Sequence, residues 1–228
     1  DGIRHCPDGD DEKLCDITKC PDVCLCFVYT TVCYNLQSLS QVHQWQLYSV
    51  KNLVLHNGSL QLTADDLQLF ENVLFMDFSH NSISDICHIM ENNNKYLFFS
   101  LKALLKLTLS NNQIECLLKE CFTGLASLLK LQLDNNTISF IRVRSFSGLL
   151  NLQELNLSSN KLHSLQKGIF HDLTSLKRLH LMNNPIKTVD SRIFNEMNLN
   201  QVITDDHKIC CYGKEIPALI CSAKKSFI

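Results

Sequence analysis

The sequence predicts an α/β solenoid, a stack of similar coils that each give one short strand to a parallel sheet on the concave side and loops or short helical turns to the convex side. Leu104, Leu107, Leu109, Asn112 and Ile114 return as Leu128, Leu131, Leu133, Asn136 and Ile138, then as Leu152, Leu155, Leu157, Asn160 and Leu162, and again as Leu176, Leu179, Leu181, Asn184 and Ile186, always 24 residues on. A second column, Phe122, Phe146, Phe170 and Phe194, keeps the same step. So strict a period marks a quasi-one-dimensional array, because one coil alone cannot bury its apolar face and a stack can. With 228 residues, 45% of them apolar, and a formal charge of -2, the chain can bury a sizeable core and shows no bias toward nucleic acid.

Within each phrase the alternating Leu-x-Leu reads as a strand whose leucines face inward and whose intervening residues face out. The strands centre on Leu53–Leu55, Met76–Phe78, Leu107–Leu109, Leu131–Leu133, Leu155–Leu157 and Leu179–Leu181. Each fully buried leucine contributes about 1.5–3 kcal/mol of transfer free energy. After the strand the chain turns into the core, where unpaired backbone groups are costly, and an amide side chain supplies both donors and an acceptor. The phrase LxxLxLxxNxL resembles the leucine-rich repeat. That resemblance implies a ladder of asparagines through the stack, so Asn81, Asn112, Asn136, Asn160 and Asn184 are expected to be scaffold.

Residues 1–15, DGIRHCPDGDDEKLC, are dense in acids and glycine. Cys6, Asp8, Gly9, Asp11, Glu12 and Cys15 resemble the second half of a low-density-lipoprotein-receptor class A module. The resemblance implies cysteine partners upstream for Cys6 and Cys15, and a calcium ion held by carboxylate oxygens, with Asp1, Asp11 and Glu12 as candidate ligands. His5 stands where the family expects an aspartate, and imidazole suits calcium poorly. The segment is therefore expected to bind calcium weakly or not at all, and no other cofactor is expected.

Residues 16–39 carry CPDVCLC and then Cys33. A zinc site is one reading of that cluster. Placed just ahead of the repeats, it also resembles the family's N-terminal cap, which implies pairs Cys20–Cys26 and Cys24–Cys33. Repeats, about six of them, are expected over 40–205. The first two are worn copies: Val50, Leu53, Leu55 with Gly58 at the asparagine position, then Val73, Met76, Phe78 with Asn81, as terminal coils tend to be. Between Asn81 and Asn112 the step lengthens to 31, and the extra residues near Asp85–Leu101 are expected to bulge from the convex side or edge. Cys87, Cys116 and Cys121 lie in adjacent coils; Cys87–Cys121 is the preferred staple, with Cys116 free or paired elsewhere. Residues 206–228, with Cys210, Cys211 and Cys221, read as a C-terminal cysteine cap or hinge with one partner lying beyond it.

Twelve cysteines argue for an oxidising compartment, and sequons at Asn57, Asn135 and Asn156 agree with it. No run of about 18 apolar residues suggests a membrane span. HExxH, a phosphate loop and GxSxG are absent, and the nine histidines are scattered, so an enzyme is not expected.

Adjacent cysteines after the repeats, followed by another, resemble the hinge of leucine-rich-repeat-containing G-protein-coupled receptors. A class A module ahead of the repeats resembles the branch with the relaxin receptors and their invertebrate relatives. The four-residue linker at Asp16–Lys19 departs from the long linker of the relaxin receptors, which favours the invertebrate type. The implied role is an extracellular region binding a peptide or protein ligand at the outer face of the plasma membrane, attached through a downstream domain that this chain lacks. The alternative is a secreted or matrix adhesion protein. The partner is expected on the concave face at Phe75, Asp77, Lys106, Lys130, Gln132, Asp134, Glu154, Arg178 and His180, with Phe75 as apolar anchor and mixed charge giving selectivity.

Overall fold

The computed structural model describes residues 20, 23–39, 50–60, 62–87, 96–190, 192–194, 197, 199–206, 209–210 and 218–221, the last four by their backbone. Asp1, Asp11 and Glu12, as well as Cys6, Cys15 and Cys211, lie outside these residues, as does the middle of the insertion at 88–95.

One ten-stranded sheet runs the length of the stack. It opens with β1 (Cys24–Cys26) and β2 (Thr30–Tyr34), an antiparallel pair. From β2 onward every pairing is parallel: β3 (Asn52–His56), β4 (Phe75–Asp77), β5 (Lys106–Thr108), β7 (Lys130–Gln132), β9 (Glu154–Asn156), β11 (Arg178–His180), β13 (Gln201–Thr204) and β14 (Ala218–Cys221). On the return legs, β6 (Cys116–Leu117) pairs with β8 (Phe140–Ile141), and β10 (Ser164–Leu165) with β12 (Thr188–Val189), again in parallel. Elsewhere these legs are mostly turns, with one short helix at Ala64–Gln68, whose Thr63 side chain caps the Asp66 N–H.

The strands begin about one residue before the Leu-x-Leu centres. Their inward residues Leu53, Met76, Leu107, Leu131, Leu155 and Leu179 are in register from coil to coil. The leucines of the phrase and their equivalents from Leu53 to Leu181 are buried. After each strand the chain kinks into the core through a left-handed residue: Asn57, His80, Asn111, Asn135, Ser159 and Asn183 all have φ between 53° and 57°. Asparagine is the non-glycine residue that tolerates this region best, and it holds four of the six positions.

The ladder asparagines sit just beyond that kink. Asn112 Nδ2 donates to Phe78 O of the preceding coil at 2.9 Å and to Leu109 O of its own at 3.0 Å, while its Oδ1 accepts from Ile83 N at 3.0 Å. Asn81, Asn136, Asn160 and Asn184 repeat the arrangement. Gly58 takes the asparagine position in the first full coil, and its N–H donates to Asn81 Oδ1 at 2.8 Å. A Cβ there would fall 2.1 Å from Leu36 O, so the worn copy needs glycine for the close approach of the cap.

The phenylalanine column begins one coil earlier than Phe122, at Phe98, which lies the same 24 residues before it. Phe98 stacks on Phe122 at 6.1 Å, Phe122 on Phe146 at 5.8 Å and Phe146 on Phe170 at 6.1 Å. The extra residues of the insertion precede Phe98, so the period has resumed by that point. Phe194 is only partly buried against the core.

Cys20–Cys26 and Cys24–Cys33 bridge the first hairpin, and Cys87–Cys121 ties the coils on either side of the insertion. Cys116 is a free, half-buried thiol. Burial pushes its pKa up, with Asp85 and Glu115 adding to the rise and Arg142 opposing it. Cys210 is disulfide-bonded.

Candidate functional site

The outward residues of the parallel strands form columns across the sheet. The first runs Asn52, Phe75, Lys106, Lys130, Glu154, Arg178 and Gln201, and the second Val54, Asp77, Thr108, Gln132, Asn156, His180 and Ile203. Neighbouring strands stand about 4.8 Å apart, so each column brings side chains from different coils within contact. The expected binding residues therefore share one face. Their electrostatics divide it into two parts.

From β7 to β11 the face is a closed polar lattice. Lys130 Nζ lies 2.6 Å from Glu154 Oε1, and Arg178 reaches Glu154 Oε2 through Nη2 at 2.7 Å and Nε at 3.0 Å. Gln132 Nε2 donates to Glu154 Oε1 at 3.3 Å, and Asn156 Nδ2 donates to Gln132 Oε1 at 3.1 Å. Glu154 was expected to present itself to a partner; instead it is only 9% exposed, buried beneath the two cations that flank it in register. Burial acts to raise its carboxyl, but the hydrogen bonds and charges of Lys130 and Arg178 outweigh that and hold it below the ordinary value. His180 is half-buried, with Nε2 buried and unpartnered. Burial lowers its imidazole pKa, with Glu154 and Asp134 pulling the other way. Asp134 accepts from Ser110 Oγ at 2.6 Å and from Asn135 Nδ2 at 3.0 Å.

From β2 to β5 the face is more open and more aromatic. Tyr34, His56 and His80 form an edge-to-face row with centroids 6.4 and 6.1 Å apart. His56 Nε2 lies 3.2 Å from Asp77 Oδ1 and 3.0 Å from Ser79 Oγ, and Ser79 N donates to Asp77 Oδ1 at 2.9 Å. Phe75 is 42% exposed, a degree of exposure that leaves much of its ring free for a partner. The ammonium of Lys106, its register neighbour, forms no hydrogen bond or ion pair with the described residues. Thr108, on the same strand, is 9% exposed and its Oγ1 has no hydrogen-bond partner among them.

Sequence reasoning overlooked Tyr34, His56 and His80 as a joint feature, since they stand on or beside the worn coils where the phrase is weakest. The Thr-Thr-Val-Cys-Tyr alternation of β2 was a usable signal, overshadowed by the cysteine spacing. Of the sequons, Asn57 and Asn135 are exposed at the kink, whereas Asn156 is half-buried on the concave floor, its Oδ1 accepting from Ser158 N at 3.0 Å.

Among the described residues no group of three or more His, Cys, Asp or Glu side chains could hold a metal, and no helix is long and apolar enough to cross a membrane. A hollow of about 470 Å³ on the convex side is lined by Lys119, Phe140, Ile141, Arg142, Val143, Ser164 and Gln166. It lacks a carboxylate, imidazole or thiol for acid–base or nucleophilic work.

Repeated coils, a continuous parallel sheet and side chains arrayed across its face define a solenoid scaffold of the protein-interaction type. The family model described as leucine rich repeat matches residues 87–138 and 126–186, and the fold around that stretch is the parallel-stranded solenoid of such repeats. Leucine-rich repeat domains are in general a protein- or peptide-binding fold, and disulfides suit an oxidising, extracellular or secreted setting. A comparison with curated proteins gave no match.

Proposed function

We propose that the chain is the extracellular ligand-binding region of a cell-surface G-protein-coupled receptor, recognising a peptide or protein on the outer side of the plasma membrane. The observation that carries the binding role is the concave face itself. Its columns bring an exposed aromatic, a free lysine and a fixed ionic lattice into register while the leucines behind hold the scaffold. The receptor class is supported by the order of segments: an acidic cysteine-containing stretch at 1–15 resembling half a class A module, a disulfide cap, the repeats, and the adjacent pair Cys210–Cys211. Calcium, through Asp1, Asp11 and Glu12, belongs to the intact class A module in this reading. Phe75, Asp77, Lys106, Lys130, Gln132, Asp134, Glu154, Arg178 and His180 form the ligand-binding set, in which Glu154 acts by fixing Lys130 and Arg178.

Reading the transcript beyond the Ile228 codon tests the receptor assignment. Several apolar stretches of about 20 residues, the length needed to span a bilayer, are expected. A stop codon soon after Ile228 would instead make this a secreted or matrix adhesion protein.

A further inference from the structure

The concave face from β3 to β11 carries charges of both signs, but most are already engaged with one another. Asp77 holds His56 and the Ser79 N–H, Asp134 holds Ser110 and Asn135, and Glu154 holds Lys130 and Arg178. A basic partner arriving here would have to break existing bonds to find an acid. Lys106 is the exception among the described residues: an ammonium on the face with no acceptor. Its neighbour Lys130 does not share an anion with it, because Glu154 lies on the far side of Lys130 in the column.

Two further groups converge on Lys106. Phe75 stands beside it in register on β4 with much of its ring open. Thr108 follows it by two residues on β5, so both side chains belong to the same face. The Thr108 hydroxyl is more than nine-tenths buried and unpartnered, and a buried hydroxyl without a partner is costly until an acceptor arrives. Lysine ammonium and threonine hydroxyl together make a two-point donor set for a carboxylate, while the phenylalanine ring offers apolar area next to it.

We propose that the Phe75–Lys106–Thr108 corner of the concave face receives an acidic side chain of a peptide ligand, with an apolar residue of the same ligand seated on Phe75. Strand spacing of about 4.8 Å against an extended rise of about 3.4 Å per residue places the two ligand residues within about two positions of each other. The inference rests on the reading of the chain as a peptide- or protein-binding region and specifies where and what it binds.

The test pans a phage-displayed library of random peptides against the folded, disulfide-intact chain, then measures the selected peptides by fluorescence anisotropy. Expected are peptides that pair an acidic residue with an apolar one. Their Kd should weaken by about tenfold or more with Lys106→Glu, weaken on Phe75→Ala and Thr108→Val, and survive Lys106→Arg. Circular dichroism confirms that each variant is folded. Selection of basic peptides, or of peptides indifferent to Lys106→Glu, overturns the proposal. If those peptides are still lost on Asp134→Lys, the concave face binds peptides elsewhere and only the acidic-ligand inference fails. If they ignore Asp134→Lys as well, the concave-face reading falls with it. A library that yields no binder also overturns the proposal.

Discussion

Asn136→Ala removes one rung of the asparagine ladder, and its cost can be worked out bond by bond. The Asn136 amide donates to Leu109 O at 2.9 Å and Leu133 O at 3.1 Å, and accepts from Ile114 N at 3.0 Å. Neither carbonyl is abandoned by the substitution, because Asn112 Nδ2 also reaches Leu109 O at 3.0 Å and Asn160 Nδ2 reaches Leu133 O at 2.9 Å. The Ile114 N–H loses its acceptor inside the core. An orphaned buried donor costs about 1–3 kcal/mol and each lost shared bond about 0.5–1.5; since both carbonyls keep a donor, a total of about 3 kcal/mol is expected. Urea unfolding should show the loss as a lower midpoint at unchanged slope. Hydrogen exchange locates it: the Ile114 amide should lose protection by about tenfold or more beyond the Ile138 amide, which Asn160 Oδ1 still holds at 3.0 Å. Unchanged protection at Ile114, or a stability loss below about 1 kcal/mol, would refute the bond-by-bond reasoning.

Leu133→Ala, at a fully buried strand leucine, should cost about 2–5 kcal/mol through lost burial plus a cavity; a melting temperature that barely moves would remove Leu133 from the core. Glu154→Gln leaves Lys130 and Arg178 without their anion. With side chains 12%, 39% and 49% exposed for Glu154, Lys130 and Arg178, the cost lies between the surface and buried cases, about 1–2 kcal/mol. Because the folded state holds the Glu154 carboxyl below its ordinary value, its stabilisation is complete above the unfolded value of about 4.3 and is lost as pH falls through the folded one. Wild type and Glu154→Gln should therefore converge in urea midpoint at acid pH, and a constant gap would contradict the pairing. His180, lowered by burial, should make stability decline as pH drops below about 6.5, where the unfolded chain takes up the proton first; His180→Gln should flatten that slope. Glycopeptide mapping of secreted protein should find occupancy lowest at Asn156, whose amide is engaged on the concave floor, and higher at Asn57 and Asn135.

The regular coils were legible in the sequence because Leu128, Leu131 and Leu133 do the same work as their counterparts 24 residues away, so one coil explained its neighbours. Legibility failed where a residue's environment is set across coils rather than along them. Nothing local to Glu154 reveals that Lys130 and Arg178 will close over it; strand register decides that, and it places a residue midway between two lysine- and arginine-bearing neighbours. The same holds for Lys106, free because its own neighbours are Phe75 and another lysine. The sheet's reach beyond the six expected strands, through β2 at one end and β13 and β14 at the other, was obscured because the leucine phrase decays toward the ends and cysteine spacing takes over in the caps.

The uniform register has a consequence for how the array can be edited. Each coil presents to the next the same interface that it receives, so 128–151 could be excised as a unit, joining Ser127 to Leu152. Leu107 would then face Leu155, and Asn160 would meet Leu109 O where Asn136 does now. The seam would be sound in its core and altered on its face: Glu154 would lie beside Lys106 instead of Lys130, and the Lys106 ammonium would acquire a permanent anion. Gain or loss of a whole 24-residue unit keeps the strand register, and every such step rewrites which charges the outer face leaves available.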